Sequence, residues 1–225
     1  MSAENRPQEM PFPMRVEPLE PRIIRSGPND ESNWIGELKL DGMRGLIIQA
    51  PEKPVIIRTK QGTIINNRVF PRLKDGFEVL AENHSFILDG EIIAGMGRTQ
   101  EERDMVLDRA KSKGPAFITP EEMKFSYAAF DILYLGDQDL RELPIEERKE
   151  ILKNFIPKNF EENFGIFVLD YFDNLDIVKE FAEKEGFEGA VFKKRGSKYK
   201  KTPQVPSPWA KLKFRTDTFQ RGGKK

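Results

Sequence analysis

The sequence predicts a mixed α+β domain built largely from antiparallel sheets flanked by helices. Strand-like segments come in runs and helical segments separate only some of them, so the regular alternation of a parallel α/β fold is missing. Hydrophobic residues make up 38% and charged residues 33% of the 225 residues, which is typical of a folded domain with a buried core. No run of about 18 apolar residues occurs, so we expect no membrane span.

Alternating or continuously apolar residues predict the strands. Leu38 and Leu40 alternate with Lys39, which places the lysine on the opposite strand face, just before an Asp-Gly turn. Residues 86–94, FILDGEIIA, form an apolar strand that Asp-Gly-Glu interrupts. The predicted strands are 34–40, 44–49, 55–59, 86–94, 124–135, 166–169, 189–194 and 209–214.

Helical spacing and capping signals predict the helices. The first helix has Val69, Leu73, Phe77 and Leu80 on one face. Pro144 opens another, since proline suits the first turn of a helix. The predicted helices are 68–82, 99–113, 144–155 and 175–185.

The two ends of the chain differ from its middle. Proline and polar groups are frequent in residues 1–30, which predicts a loosely ordered N-terminal segment that we call the lead-in. We expect one domain over residues 31–216 and a basic tail over residues 217–225. Residues 193–225 carry twelve Lys and Arg against one acid, although the whole chain has zero net charge. This basic end indicates either a phosphate-bearing partner or a solvated tail. The N-terminus has no apolar run of signal-peptide length, so we expect a cytoplasmic protein that is not secreted and that is nucleoid-associated if the source is prokaryotic. We also expect a monomer.

The residue inventory restricts the chemistry. There is no cysteine and His84 is the only histidine, which excludes thiolate zinc sites, cysteine nucleophiles and schemes that need two histidines. A phosphate-cradling GxxxxGK[ST] loop is also absent. The remaining covalent nucleophile of interest is a lysine amine, which must lose its proton to react.

Carboxylates and lysines recur on predicted strands. Glu91 lies within an apolar strand, Glu188 precedes another, and Lys211 and Lys213 share one face of the last strand. Each feature alone suits an ordinary strand bend or a solvated face. Together they suit a triphosphate with a divalent metal, because lysine pairs with phosphate and carboxylates bind magnesium.

Five segments in a fixed order carry a family resemblance. They are KLDGMR at 39–44, LDGE at 88–91, FDILYL at 130–135, EGAVFK at 188–193 and WAKLK at 209–213. They resemble the nucleotidyltransferase motifs of ATP-dependent DNA ligases, within the superfamily that includes RNA ligases and mRNA capping enzymes. The resemblance covers residues 34–215 and implies the adenylation-domain fold of that family.

The resemblance implies a role for each matching residue. Lys39 would attack the α-phosphate of ATP to give a lysyl–AMP phosphoramidate, and Lys211 and Lys213 would neutralise the phosphate. Phe130 would stack on adenine. The residues implied to bind the nucleotide are Glu37, Arg44, Lys60, Glu91, Phe130, Lys193, Lys211 and Lys213. Glu91 and Glu188 would bind Mg²⁺, or alternatively Mn²⁺.

Two features depart from the family pattern. Many members have Ser-Arg-Asn-Gly where this chain has Thr-Lys-Gln-Gly at 59–62, so either Lys60 or Arg58 would replace the arginine. Cellular DNA ligases also continue into an OB-fold, for which this chain leaves no room. We expect either an isolated adenylation domain or a natural minimal protein.

The leading hypothesis is an ATP- and magnesium-dependent DNA ligase domain acting on nicked double-stranded DNA in replication, repair or recombination. An OB-fold domain is a further expected partner. The alternatives are an RNA ligase, a GTP-dependent capping enzyme, or a non-catalytic nucleic-acid-binding module that uses the basic segment 193–225.

Overall fold

The computed structural model describes residues 12–13, 15–112, 124–200 and 205–214. The strands are β1 (Arg22–Ile24), β2 (Trp34–Lys39), β3 (Met43–Gln49), β4 (Ile56–Thr59), β5 (Ile64–Ile65), β6 (Phe86–Ala94), β7 (Phe125–Leu135), β8 (Gln138–Asp139), β9 (Ile166–Val168), β10 (Gly189–Lys194) and β11 (Trp209–Lys213). The α-helices are α1 (Pro71–Ala81), α2 (Gln100–Lys111), α3 (Ile145–Phe155), α4 (Phe160–Phe164) and α5 (Leu175–Lys184). Within the described part, no helix is long and apolar enough to cross a bilayer.

The described strands form two sheets. The four-stranded sheet has the order β1-β11-β10-β2, in which only the β1–β11 pair is parallel. The seven-stranded sheet has the order β5-β4-β3-β6-β7-β8, with β9 parallel to β7. All other pairs are antiparallel, so the predicted α+β class with largely antiparallel sheets is confirmed.

Helices cover the outer face of each sheet. The largest core cluster joins β3, β6 and β7 to α1 and α3 through residues such as Ile47, Leu73, Phe77, Tyr127 and Leu152. On the four-stranded sheet, α5 packs against β2 and β10 through Leu175 and Val178. This double covering leaves the opposing faces of the two sheets to meet each other.

The lead-in differs from its expectation over its second half. Val16 and Leu19 are buried against Trp209 and the seven-stranded sheet, and β1 extends the four-stranded sheet. A few apolar residues spaced among prolines are enough to dock this segment, although they show no strand periodicity. Residues 1–11, 14 and the tail at 217–225 lie outside the described residues.

The DGE sequence does not interrupt β6. The strand runs continuously past it, with irregular pairing to β7 on either side of Asp89. A Cβ on Gly90 would lie 2.5 Å from the Tyr127 ring and 2.6 Å from the Ala128 carbonyl oxygen. Glycine is therefore needed for the close approach of β7 and not for a bend.

Candidate active site

A cleft lies between the two sheets and gathers most of the predicted site residues. The first sheet contributes side chains from β2, β10 and β11, and the second contributes side chains from β3, β6 and β7. The predicted residues that line it are Glu37, Lys39, Arg44, Lys60, Glu91, Phe130, Lys193 and Lys211. Residues distant in sequence therefore meet in one place, which is the arrangement a nucleotide pocket requires.

Lys39 ends β2 at the cleft. Its ammonium nitrogen donates a hydrogen bond to Glu188 Oε2, from the residue before β10. The other oxygen of that carboxylate lies 2.7 Å from Lys213 Nζ. We call Lys39, Glu188 and Lys213 the outer cluster, whose two lysine side chains remain 17% and 28% exposed.

Strand pairing explains the outer cluster. Gly189 is opposite Lys39 on one side of β10 and opposite Lys213 on the other. Burial opposes ionisation of Glu188, but the charges of Lys39 and Lys213 outweigh it and hold the pKa of Glu188 below its usual value. Glu188 is therefore a stable carboxylate between two ammonium groups.

A second group of charges is fully enclosed. Glu37 Oε1 pairs with Lys149 on α3, and its Oε2 lies 2.8 Å from Lys193 Nζ. Lys149 also donates a hydrogen bond to the Leu169 carbonyl oxygen at 3.0 Å. We call Glu37, Lys149 and Lys193 the inner cluster; its side chains are 2%, 5% and 1% exposed.

The aromatic residues of the cleft stand beside the inner cluster. Lys193 Nζ lies 4.6 Å from the ring centre of Phe130 and 4.3 Å from that of Trp209. Burial, reinforced by the charge of Lys149 and opposed by Glu37, lowers the pKa of Lys193 to about 8. The partly exposed Phe130 ring therefore faces the cleft next to a strongly desolvated cation.

Arg44 is held by the protein itself. Its Nε and Nη2 donate to the two oxygens of the fully buried Asp89 at 2.9 and 2.6 Å. Nη1 donates to the Leu19 carbonyl oxygen at 2.9 Å, and Tyr199 OH donates to Asp89 at 2.6 Å. All three guanidinium nitrogens therefore donate hydrogen bonds within the protein, which fixes this predicted nucleotide contact in the cleft wall.

Glu91 is opposite Arg44 in the β3–β6 pairing and lines the cleft. Burial raises the pKa of Glu91 to about 7, although Lys39 and Arg44 act in the opposite direction. The two carboxylates near Lys39 therefore differ: the pKa of Glu91 is raised, whereas that of Glu188 is lowered. This contrast is typical of functional sites.

Lys211 and Lys60 complete the positive lining. Burial lowers the pKa of Lys211, and the charges of Lys39 and Lys213 lower it further. Lys60 lies 2.8 Å from Glu20 of the lead-in. Lys213, another predicted phosphate contact, does not line the cleft. It pairs instead with Glu188.

Two predicted metal ligands, Glu91 and Glu188, lie near Lys39. In the described ranges, no three His, Cys, Asp or Glu side chains form a group that could hold an ion by themselves. Mg²⁺ is commonly bound by one or two carboxylates together with phosphate oxygens and water. Glu91 and Glu188 fit that mode, in which a nucleotide supplies the remaining oxygens.

Three important residues were missed by sequence reasoning. Lys149 and Tyr199 lie outside the motifs, and Asp89 was treated only as part of the DGE stretch. A signal was present for Lys149: in PIEERKEIL it falls at helical spacing with the apolar Ile145 and Leu152, so its burial was predictable. Its pairing with Glu37 was not, because the two residues are 112 positions apart.

Comparison with known proteins identifies the family of this chain. Residues 13–213 match the family model described as an ATP dependent DNA ligase domain. The chain is 28% identical over 187 residues to the SPbeta prophage-derived DNA ligase-like protein LigB of Bacillus subtilis, covering 83% of this chain and 63% of the relative. It is 28% identical over 203 residues to the multifunctional non-homologous end joining protein LigD of Pseudomonas aeruginosa, covering 90% and 22%.

Solved structures show the same fold. The ligase domain of LigD from M. tuberculosis superposes with a TM-score of 0.60 at 23% identity, covering 87% of this chain and 59% of that one. The ATP-dependent DNA ligase of bacteriophage T7, solved in complex with ATP, gives a TM-score of 0.55 at 16% identity, with coverages of 88% and 68%. A mycobacterial DNA ligase D complexed with ATP and MES gives 0.61 at 21%, with coverages of 86% and 60%.

The fold is that of a DNA ligase adenylation domain. Because the family model spans most of its length, the chain belongs to the family of ATP-dependent DNA ligase domains. It spans less than two thirds of the length of the first curated relatives it matches.

Proposed function

We propose that this chain is the adenylating part of an ATP-dependent DNA ligase and forms a covalent lysyl–AMP intermediate on Lys39. One observation carries the proposal: Lys39 reaches the cleft between the sheets, where Glu188 fixes its ammonium group among further cations. A lysine that served only for solubility would project into solvent. The ATP complexes of two related ligases support ATP as the nucleotide.

The proposed first step is an in-line transfer of AMP. The Lys39 ammonium gives a proton to solvent, and its nitrogen then forms a bond to the α-phosphorus while the bond from that phosphorus to the bridging oxygen of pyrophosphate breaks. Pyrophosphate leaves with the bonding electron pair, and the phosphoramidate keeps one negative charge. Lys211 lines the cleft as the cation positioned to meet charge on the phosphate, which lowers the barrier because the group is already in place.

The remaining residues position the nucleotide. Phe130 offers a ring face to the base, and Arg44, held by Asp89, places a fixed positive charge in the cleft wall. Glu91 and Glu188 would hold Mg²⁺, which when bound neutralises phosphate charge. The subsequent steps move AMP to a 5′-phosphate at a DNA nick and then join that phosphate to the 3′-hydroxyl, with AMP as the leaving group.

The proposal is tested by covalent labelling. Wild type, Lys39→Ala and the control Lys158→Ala are incubated with magnesium and ATP labelled at the α-phosphate, then denatured. Lys158 is an exposed lysine in the turn between α3 and α4 and does not line the cleft. Label should remain on wild type and on Lys158→Ala and be lost from Lys39→Ala.

A parallel incubation with labelled GTP tests the choice of nucleotide. Label from GTP but not ATP would replace the ligase proposal with capping-type chemistry. Label from neither nucleotide would contradict the proposed enzymatic activity of this chain. Nick sealing by the same preparations then tests the two later steps.

A further inference from the structure

Tyr199, a residue outside the sequence motifs, connects separate parts of the cleft wall. It lies between β10 and β11, and it is 4% exposed among the apolar residues that dock the lead-in. Its ring packs edge-on against Trp209, the first residue of β11, with the ring centres 5.5 Å apart. Its backbone N–H donates to the Arg141 carbonyl oxygen at 2.8 Å. Ring and backbone are both held, so the hydroxyl has a defined position.

The Tyr199 hydroxyl is fully engaged in hydrogen bonds. It donates to Asp89 Oδ2 at 2.6 Å, and it accepts from the Leu19 N–H at 2.9 Å and from Arg44 Nη2 at 3.3 Å. A phenolic hydroxyl has one proton and two lone pairs, so these three contacts use its whole capacity. Burial and the charge of Asp89 raise the pKa of Tyr199, and the hydroxyl therefore keeps its proton at neutral pH.

The lead-in is held from both sides of one peptide. The Leu19 N–H donates to Tyr199, and the Leu19 carbonyl oxygen accepts from Arg44 Nη1 at 2.9 Å. Glu20 and Pro21 follow directly and line the nucleotide cleft. The place of this part of the cleft wall therefore depends on the hydroxyl of Tyr199 and on the guanidinium of Arg44.

The same hydroxyl supports the carboxylate that holds Arg44. Asp89 is fully buried and accepts two hydrogen bonds from Arg44 and a further one from Tyr199. A buried carboxylate that loses a donor is less well stabilised, and a buried N–H that loses its acceptor is left unsatisfied. Removing the hydroxyl would do both, at Asp89 and at Leu19.

We propose that Tyr199 is a positioning residue for the nucleotide, acting through Arg44 and the docked lead-in. This inference rests on the proposed ligase function and concerns the binding of ATP, not the attack by Lys39. Arg44, Glu20 and Pro21 line the cleft, whereas Tyr199 stands behind them. Groups that are already in place bind a ligand more tightly, because no ordering cost remains to be met.

Binding of α,β-methylene ATP with magnesium separates this role from the chemistry, since its carbon bridge prevents the transfer of AMP. Isothermal titration calorimetry compares wild type with Tyr199→Phe, which removes the hydroxyl and keeps the ring. Labelling with saturating ATP, labelled at the α-phosphate, then gives the maximal rate of lysyl–AMP formation. Thermal unfolding of each protein is recorded in parallel.

Tyr134 provides a closely matched control. It belongs to the same apolar cluster as Tyr199 and does not line the cleft. Its hydroxyl also donates to an aspartate, Asp139, at 2.7 Å and accepts from an arginine, Arg141, at 2.6 Å. Tyr134→Phe therefore removes an equivalent hydroxyl and leaves the pair of Arg44 and Asp89 in place.

Tyr199→Phe should raise the dissociation constant of the analogue about tenfold, because two buried groups each lose a partner. The maximal labelling rate should stay within about twofold of wild type, because Lys39 and Glu188 keep their contacts. Partial unfolding would instead lower the number of binding sites without changing the dissociation constant. Tyr134→Phe should match wild type in both measurements.

Trypsin reports separately on the lead-in, where Arg22 and Arg25 are exposed. Cleavage after these residues should be about fivefold faster in Tyr199→Phe than in wild type, because the segment opens more often once Leu19 loses its hydrogen bond. Tyr134→Phe should be cleaved at the wild-type rate. An unchanged rate in Tyr199→Phe would overturn the part of the inference that concerns the lead-in.

A wild-type dissociation constant in folded Tyr199→Phe would overturn the inference, as would a wild-type protein that does not bind the analogue. Equal weakening in Tyr134→Phe would also overturn it, since any buried hydroxyl would then have the same effect. A lower maximal rate with unchanged affinity would contradict a role in nucleotide positioning. Failure of the proposed function has a separate signature: wild type binds the analogue but forms no lysyl–AMP, and the dissociation constants still decide the role of Tyr199.

Discussion

The inner and outer clusters have similar composition and opposite accessibility. Each places one glutamate between two lysines, but the inner cluster is almost completely enclosed, whereas the outer lysines remain partly exposed. An enclosed cluster cannot exchange partners without a large penalty, because each charge lost leaves another unpaired. A partly exposed cluster can exchange its partners for phosphate oxygens.

Because of this difference, we expect the inner cluster to serve stability and the outer cluster to serve activity. The inner cluster ties β2, β10 and α3 together at the wall of the cleft and fixes the position of Glu37. The outer cluster keeps Lys39 in place until a nucleotide competes for the same cations. Substitutions in the two clusters should therefore separate stability from activity.

The largest expected effect follows from removing the inner carboxylate. Glu37→Gln leaves Lys149 and Lys193 without their anion in a closed site, which should lower the free energy of unfolding by about 3–5 kcal/mol. Urea denaturation measures this change. The control is Glu31→Gln, which breaks an exposed ion pair with Lys179 and should cost less than about 1 kcal/mol. An equal loss of unfolding free energy in the two variants would show that the inner cluster has no special role in stability.

The next effect concerns the pH dependence of stability at Glu91. Burial raises its pKa from 4.5 to about 7, so between these values the folded protein binds a proton that the unfolded chain loses. The stabilising contribution of this group is therefore lost as pH rises through that window. Glu91→Gln cannot lose a proton, and its stability relative to wild type should increase from about pH 5 to about pH 7.

The Glu91 prediction is measured by urea denaturation at several pH values with a chelator present, so that no divalent metal binds. A difference between variant and wild type that stays constant over the window would show that Glu91 has an ordinary carboxyl pKa. A difference of opposite sign would show that the charges of Lys39 and Arg44 outweigh burial.

A smaller loss of stability is expected in the outer cluster. Glu188→Gln keeps the shape of the side chain and leaves Lys39 and Lys213 with access to water, so the cost should be about 1–2 kcal/mol. Lysyl–AMP formation should nevertheless fall at least about tenfold, because Lys39 loses its positioning contact. Stability by urea denaturation and labelling by ATP are compared in the same preparation. Lysyl–AMP formation at the wild-type level would show that Glu188 does not position Lys39.

The smallest effect is expected at the mouth of the cleft. The Glu20–Lys60 pair is half exposed, so Glu20→Gln should change the free energy of unfolding by no more than about 0.5 kcal/mol. High salt should reduce this small difference, because it screens exposed charges. A loss comparable to that of Glu37→Gln would mean that the lead-in is held mainly by this ion pair and not by its buried apolar residues.

Much of the fold was predictable, for reasons visible in particular elements. Periodicity located β2, β6, β7, α1 and α5, because a buried face imposes its spacing on the sequence. The elements missed were β1, β5, β8 and α4. They are three, two, two and five residues long, which is too short for any period to emerge.

The candidate site was predictable where short motifs carry it and unpredictable where long-range pairing does. Lys39, Glu91 and Lys211 were all placed in advance, and they meet in one cleft. The sequence did not predict the ion pairs of Arg44 with Asp89 and of Glu37 with Lys149. Such pairs depend on which strands and helices become neighbours, and single segments do not contain that information.

Locating the bound AMP tests most directly whether Lys39 is the nucleophile. The protein is incubated with ATP and magnesium, digested, and its peptides are analysed by mass spectrometry under conditions that preserve phosphoramidates. We expect one AMP per chain on the peptide containing Lys39, with none on Lys193, Lys211 or Lys213. AMP on any of those lysines, or an unmodified Lys39 in a protein that seals nicks, would contradict it.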